Sequence, residues 1–208
     1  IIRLQPSELM KVGLVLALAR YFHGLSTEGV GRIPYLIAPL ILVALPSVLV
    51  LKQPDLGTAL FLIMIGGAIF FVAGVKLWKF VVVLGAAGAA VPIVWSTLRS
   101  YQQKRILTFL DPESDPLGAG YHILQSKIAL GSGGMFGKGF MQGSQSHLNF
   151  LPEKQTDFIF TVLAEELGMA GGLALLGLYV LMMIYGFAIG LRARPHFGRL
   201  VALGITSM

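Results

Sequence analysis

Residues Leu167 to Leu191 read LGMAGGLALLGLYVLMMIYGFAIGL, 25 consecutive positions without a charged side chain. As an α-helix this segment would extend about 37 Å at 1.5 Å per residue, more than the roughly 30 Å thickness of a bilayer's hydrocarbon core. Its glycines agree with that interpretation, because glycine is more frequent in transmembrane helices than in soluble ones. The stretch therefore predicts a membrane-spanning helix.

Three further uncharged runs have the length of a membrane span: residues 33–51, 56–75 and 80–98. A fifth candidate, residues 5–22, carries Glu8, Lys11 and Arg20 within an otherwise apolar helix. Charged residues are rare inside membranes and usually functional, which makes this helix the unusual one. The tail at 200–208 looks like a span cut short. We therefore expect an all-α polytopic membrane protein with about five transmembrane helices.

The composition excludes other classes of protein. The 208 residues are 55% hydrophobic and only 12% charged, with a mean hydropathy of +0.78, which argues against a soluble domain and against disorder. The absence of cysteine excludes a disulfide framework, a thiolate nucleophile and cysteine-ligated zinc. The net charge of +6 is dispersed at the ends of apolar runs rather than clustered, so nucleic acid is not an expected partner.

The positions of the basic residues predict the orientation. Three short loops carry them, and the positive-inside rule places these loops in the cytoplasm. The residues are Arg20 and Arg32, then Lys76 and Lys79, then Arg192, Arg194 and Arg199. We expect residues 1–98 to hold the first four helices and 99–161 to form a long extracytoplasmic loop. Residues 162–208 then comprise the last complete span, a cytoplasmic loop and the start of another span.

The long segment at 99–161 contains the features expected of a working part, because long loops without a function are uncommon. A turn-forming stretch at 111–116 precedes an expected amphipathic helix around residues 121–130. Residues 131–139 then read GSGGMFGKG. This stretch lacks the pattern of a phosphate-binding loop, and two interpretations remain open: a flexible structural turn, or a nest of backbone N–H groups that binds an anion.

Asp157 is the first candidate for chemistry, because it lies where the loop becomes the apolar entry to a helix. It is either an N-cap, which satisfies exposed backbone N–H groups, or a catalytic base. An aspartate with the ordinary pKa of about 3.9 is a weak base at neutral pH. Burial beside Phe158 and Phe160 would raise the pKa of Asp157, whereas Lys154 nearby would lower it.

Other carboxylates lie within the apolar helices. Glu8 and Lys11 are three residues apart, so they share a helical face and form either a structural pair or part of a site. Asp55 begins a helix, and it serves as a good helix start or as a cavity residue. Glu165 and Glu166 are adjacent and cannot point in one direction, so we expect one of them to face the protein interior.

Several motifs closely resemble those of the RodA/FtsW (SEDS) family of polytopic membrane enzymes. They are QPSE at 5–8, QPDLGT at 53–58, DPESDPLGAGY at 111–121, LNFLPEKQTDFIF at 148–160 and EELG at 165–168. The resemblance spans nearly the whole chain and is greater to the RodA branch, which serves cell elongation, than to the FtsW branch. Members of the family have about ten spans. Because this chain lacks an initiator Met and ends in an apolar run, we expect it to be the middle of a longer protein.

The resemblance implies a peptidoglycan glycosyltransferase that links lipid II units into glycan strands, in the bacterial cytoplasmic membrane with its active face outside. It assigns Asp157 as the catalytic residue and Glu8, Lys11, Asp55, Glu165 and Glu166 as supporting cavity residues. Candidates to hold the departing pyrophosphate are Lys154, Lys138, Arg105 and Lys104, with a divalent cation as a candidate cofactor and the metal ligands unknown. The implied partner is a class B penicillin-binding protein. Two rival functions are a lipid II flippase and a noncatalytic scaffold of the elongation machinery.

Overall fold

A computed structural model describes residues 5–53, 55–98, 100–111, 113, 119–143 and 158–208. Within these ranges the chain forms nine α-helices and no β-strand. The helices are α1 Pro6–His23, α2 Thr27–Val30, α3 Pro34–Lys52, α4 Leu56–Val72, α5 Leu77–Thr97, α6 Ser100–Leu110, α7 Ala119–Ser132, α8 Ile159–Arg192 and α9 His196–Thr206.

The uncharged runs of the sequence are helical in the structure. Helices α1, α3, α4 and α5 each begin and end within three residues of a run expected to be a span. Pro6 occupies the first turn of α1, where its missing N–H leaves no helical bond unmade. Helix α8 begins at Ile159, eight residues before the run at 167–191, because it contains a break at Gly168 and the helix on the far side of the break extends back to Ile159.

The described residues of segment 99–161, which we expected to form a long extracytoplasmic loop, are largely helical. The location of this segment outside the membrane stays a prediction. The helix expected around 121–130 is present as α7, but α6 was not anticipated and α8 starts inside the segment. Residues 100–110 read SYQQKRILTFL, which contains neither glycine nor proline and includes several good helix formers. Thr108 is buried on α6, so one face of this short helix packs against protein.

The chain divides into two compact units. The first unit comprises Ile1–Ala86 and Met182–Met208, and its core lies between α1, α3, α4 and α9. Gly66 of α4 lies against Val43 of α3, while Gly204 of α9 lies against Val15 and Ile69. The absence of side chains at these two glycines lets the helices approach closely, as is common for helices that pack within membranes.

The second unit is residues Ala87–Leu181, which include the end of α5, α6, α7 and most of α8. Ala129 of α7 and Ala164 of α8 are buried, and Glu165 is fully buried beside Ala164. The glycine-rich segment that follows α7 also belongs to this unit. Of the residues expected to carry chemistry, the described ones from position 104 onward therefore belong to one compact unit: Lys104, Arg105, Lys138, Glu165 and Glu166.

Most of the large apolar side chains in α3, α5 and α8 are exposed. Helices α3 and α8 are long and apolar enough to cross a membrane, and α4 and part of α5 are shorter apolar helices. Only 6% of the most apolar window of α8 is buried in the chain, whereas the core helix of a soluble protein would be mostly buried. So large an exposed apolar surface fits a lipid environment and an all-α polytopic membrane protein.

We predict that Gly66→Ala destabilises the first unit whereas Gly67→Ala does not. A Cβ at Gly66 would lie 2.6 Å from Cγ2 of Val43, a β-branched side chain with little freedom to move, whereas a Cβ at Gly67 would meet nothing within 4 Å. Overpacking of this kind lowers the free energy of unfolding by about 1–3 kcal/mol. Thermal unfolding in detergent, followed by tryptophan fluorescence, measures the difference, and equal melting temperatures for the two variants would contradict the prediction.

Candidate active site

The first charged group lies at the start of α1. The ammonium of Lys11 is 2.8 Å from a carboxylate oxygen of Glu8, one helical turn earlier, so the pairing expected from their spacing is confirmed. The Lys11 side chain is 17% exposed and that of Glu8 57%, so the cation is the more buried member. The same ammonium lies 5.6 Å from the centre of the Phe61 ring on α4, within the range of a cation–π interaction.

Asp55 is the N-cap of α4. Its two carboxylate oxygens accept hydrogen bonds from Thr58, one from the backbone N–H at 3.0 Å and one from the hydroxyl at 2.7 Å. The Thr58 hydroxyl and N–H lower the pKa of Asp55 below its ordinary value of 3.8, and the positive charge of Lys11 lowers it further. Asp55 therefore has the geometry of a helix N-cap. The positive charge of Lys11 acts on Asp55 as well as on Glu8.

The second group lies at the break in α8. Gly168 has φ +70° and ψ −169°, a conformation that residues with a side chain rarely adopt. In an unbroken helix the carbonyls of Glu165 and Glu166 would accept hydrogen bonds from the N–H groups of Met169 and Ala170. The break prevents both bonds, so four backbone groups need other partners.

The glycine-rich segment after α7 supplies all four partners. The bonds run from Met169 N–H to the Gly134 carbonyl at 2.9 Å, from Ala170 N–H to the Met135 carbonyl at 3.0 Å, from Lys138 N–H to the Glu165 carbonyl at 3.1 Å and from Gly139 N–H to the Glu166 carbonyl at 3.0 Å. We call residues 134–139 and 165–170, joined in this way, the backbone lock. The segment therefore replaces the hydrogen bonds that the helix loses at its break.

The two segments of the backbone lock, 134–139 and 165–170, approach so closely that some positions have no room for a side chain. A Cβ on Gly137 would collide with the Glu166 carbonyl, and Gly137 also has φ +79°. A Cβ on Gly168 would collide with the backbone of Gly137 and Met135. Of the two interpretations of this stretch, the geometry supports a structural turn, because the N–H groups of Lys138 and Gly139 are bonded to protein carbonyls.

An ion pair accompanies the backbone lock. The Lys138 ammonium lies 2.8 Å from Oε1 of Glu165, whose side chain is fully buried, while that of Lys138 is 29% exposed. Glu166 is only half-buried, so the expectation that one of the adjacent glutamates faces the interior is confirmed, and Glu165 is that residue. Lys138 was one of four candidates to bind pyrophosphate, and in the structure its ammonium lies against the Glu165 carboxylate.

An apolar cavity of about 480 Å³ lies beside the backbone lock. Residues of α7, the glycine-rich segment and α8 line it: Leu130, Gly134, Met135, Phe160, Ala164, Met169, Gly172, Leu173 and Leu176. None of these nine described residues carries a charge. A cavity of this size and character is suited to an apolar chain rather than to a sugar.

The remaining predicted site residues are only partly placed. Asp157 and Lys154 lie outside the described residues, two and five positions before Ile159. Lys104 and Arg105 belong to α6, and the Lys104 side chain is exposed. Among the residues that the structure describes, no three histidine, aspartate or glutamate side chains are grouped to hold a metal ion. Among the predicted site residues, Glu8, Lys11 and Asp55 are thus grouped in the first unit, and Lys138 and Glu165 in the second.

The fold and these charged groups define a polytopic, all-α membrane protein in which polar residues lie at helix ends and at a helix break. The model of the FtsW, RodA and SpoVE family, described as cell cycle proteins, matches residues 1–208. The chain belongs to this family.

The chain is similar over nearly its whole length to named relatives. It is 46% identical to the peptidoglycan glycosyltransferase MrdB of Escherichia coli, over 99% of this chain and 55% of MrdB. It is 39% identical to the probable peptidoglycan glycosyltransferase FtsW of Trichlorobacter lovleyi, over 97% of this chain and 52% of that protein. The chain thus spans about half the length of these relatives.

Two solved structures have a similar fold. A chain from a peptidoglycan synthase complex that coordinates polymerization and crosslinking has a TM-score of 0.76 and 34% identity, over 99% of this chain and 56% of that one. A mutant of the Thermus thermophilus rod shape-determining protein RodA has a TM-score of 0.59 and 27% identity, over 99% of this chain and 50% of that one.

We predict that Gly137→Ala and Gly168→Ala each destabilise the second unit, because the added Cβ collides with backbone atoms and both positions have positive φ. Strain of this kind costs about 1–3 kcal/mol for the backbone conformation alone. Gly131→Ala is the control: it lies in α7 with nothing within 4 Å of its Cβ, and alanine is the better helix former. Limited proteolysis of the glycine-rich segment and thermal unfolding report the effects. Equal resistance of all three variants would argue against the backbone lock.

Asp55 gives a prediction with a defined pH dependence. Asp55→Ala removes the cap of α4 and is expected to lower the free energy of unfolding by about 1 kcal/mol, whereas Asp55→Asn keeps most of the capping. Because the pKa of Asp55 is lowered in the folded protein, its contribution is present above about pH 4 and is lost as the pH falls through the lowered pKa. The difference between native protein and Asp55→Ala should therefore shrink in acid. A difference that grows in acid would contradict the assignment.

Proposed function

We propose that this chain is part of a peptidoglycan glycosyltransferase that links the disaccharide units of lipid II into glycan strands for cell elongation. The observation that carries the proposal is the family match over residues 1–208, together with the motif that contains Asp157 immediately before α8. The relatives MrdB and FtsW are named a peptidoglycan glycosyltransferase and a probable one, which supports this class of activity.

The proposed reaction is a displacement at the anomeric carbon of the donor sugar. Asp157 accepts the proton of the acceptor hydroxyl, whose oxygen forms the new bond to the anomeric carbon. The bond from that carbon to the pyrophosphate breaks, and polyprenyl pyrophosphate leaves with the electron pair. General base catalysis of this kind contributes about 10²–10⁴-fold to the rate.

The leaving pyrophosphate needs positive charge or N–H donors. Lys138 is the weakest of the four candidates, because its ammonium already lies against the Glu165 carboxylate. We therefore favour Lys154, Lys104 and Arg105 for this role. A divalent cation is a candidate to assist them, and Glu8, Lys11 and Asp55 keep a supporting role in the proposal.

The apolar cavity beside the backbone lock suits the lipid part of the substrate. Its lining is apolar, and its volume of about 480 Å³ accommodates a few isoprene units rather than a complete polyprenyl chain. In the proposed orientation the short loops with basic residues face the cytoplasm, and segment 99–161 lies on the outer side of the bacterial cytoplasmic membrane. The proposed partner is a class B penicillin-binding protein, and the synthase complex with a similar chain supports that proposal.

A lipid II flippase is the second candidate. The pair of Glu8 and Lys11 in the apolar helix α1 favours it, because ionisable groups within membranes often line transport paths. A flippase has no need for a base at Asp157, whereas a polymerase does. A scaffold that only recruits the transpeptidase needs neither Asp157 nor the charged pair.

We predict that Asp157→Asn abolishes glycan synthesis, with a loss of at least about 100-fold, because the amide cannot accept the proton. The measurement is glycan-chain formation from purified lipid II by the full-length protein, with the transpeptidase partner present and blocked. Asp111→Asn is a control with the same change of charge on an exposed residue at the end of α6. Each variant must unfold at the native temperature and retain the partner.

The outcomes separate the three functions. Chains made by native protein and by Asp111→Asn, but not by Asp157→Asn, support the glycosyltransferase. If Asp157→Asn makes as much glycan as native protein, Asp157 is a helix cap and not the catalytic base. If no variant makes chains where a control polymerase does, transport of labelled lipid II across vesicles decides between the flippase and the scaffold.

A further inference from the structure

The residues Glu165 and Lys138 are joined twice, once through the backbone and once through their side chains. The Lys138 N–H donates to the Glu165 carbonyl at 3.1 Å, and the Lys138 ammonium lies 2.8 Å from the Glu165 carboxylate. These two bonds restrain both the distance and the relative rotation of the glycine-rich segment and the first part of α8.

The two members of this ion pair differ in their exposure to solvent. The Glu165 side chain is fully buried, and taking a carboxylate out of water is costly unless a cation accompanies it. The Lys138 side chain keeps access to solvent, so its ammonium would remain hydrated without Glu165. Loss of the lysine charge is therefore expected to be more harmful than loss of the glutamate charge.

The pair acts on a short helical segment, residues Ile159 to Leu167, which ends at the break in α8. Nine residues of helix extend about 13 Å, so a tilt of about 5° at the backbone lock would move the opposite end by about 1 Å. Asp157 precedes that opposite end by two residues. A displacement of about 1 Å can reduce a catalytic rate by about 100-fold.

We propose that Lys138 and Glu165 are positioning residues for Asp157: their ion pair holds the segment 159–167 in the orientation that presents the aspartate to the substrate. This inference rests on the proposed function, because it takes Asp157 as the base. It assigns Lys138 to the buried carboxylate rather than to the pyrophosphate, and it assigns Glu165 a role through the helix rather than contact with the sugar.

The test compares five forms of the full-length protein with its blocked transpeptidase partner: native, Lys138→Arg, Lys138→Gln, Glu165→Gln and the double variant Lys138→Gln/Glu165→Gln. Lys127→Gln serves as control, because Lys127 is exposed on α7 and lies outside the proposed machinery. The measured quantities are kcat and KM for lipid II per folded molecule, together with hydrogen exchange of segment 159–167.

We expect Lys138→Gln to lower kcat by at least about tenfold with KM within about threefold of native, and to accelerate exchange of segment 159–167. Lys138→Arg should keep most of the activity because it keeps the ion pair. The double variant should be more active than Lys138→Gln, since no buried carboxylate is then left without the lysine charge. Glu165→Gln should be the milder single change.

Other results would overturn the positioning role. A fall in kcat or a rise in KM that comes without faster exchange of segment 159–167 and without recovery in the double variant would return Lys138 to direct contact with the pyrophosphate. A lower melting temperature with native kcat per folded molecule would reduce the pair to a structural role. If Asp157→Asn polymerises as well as native protein in the same assay, the proposed function itself fails, whatever the Lys138 variants do.

Discussion

Every backbone N–H and C=O group that lies away from water needs a hydrogen-bond partner. At the break in α8 these partners come from another part of the chain, the glycine-rich segment after α7. An unsatisfied group in an apolar medium costs several kcal/mol, and the break at Gly168 releases four of them. The glycine-rich segment satisfies all four with bonds of 2.9–3.1 Å. The positions of α7, of the first part of α8 and of the cavity between them follow from that exchange.

The same constraint applies to charged side chains. Lys11 is largely buried and is accompanied by Glu8 and the Phe61 ring, while the fully buried Glu165 is accompanied by Lys138. In both groups the more buried charge has an opposite charge within 2.8 Å. Buried charges of this kind are often retained where they serve a site or fix a conformation.

Much of the helical architecture was predictable, because uncharged runs of about 20 residues have one stable solution in a bilayer. The pairing of Glu8 with Lys11 followed from helical spacing, and the inward direction of one of Glu165 and Glu166 from their adjacency. The break in α8 was not predictable from these patterns, since Gly168 lies among many glycines and only its φ of +70° distinguishes it. The role proposed for Asp157 rests on the family motif, because its own neighbours fit a helix cap equally well.

The bonds of the backbone lock use main-chain atoms, and this determines which substitutions the segment can accept over evolutionary time. Met135 contributes its carbonyl while its side chain is largely exposed, and the side chain of Phe136 is exposed as well. Position 136 is therefore open to residues of different size, and position 135 is restricted only by its place in the cavity lining, whereas Gly137 and Gly168 accept no side chain. In related sequences we therefore expect the exposed positions of this segment to vary and the crowded glycines next to them to stay nearly invariant.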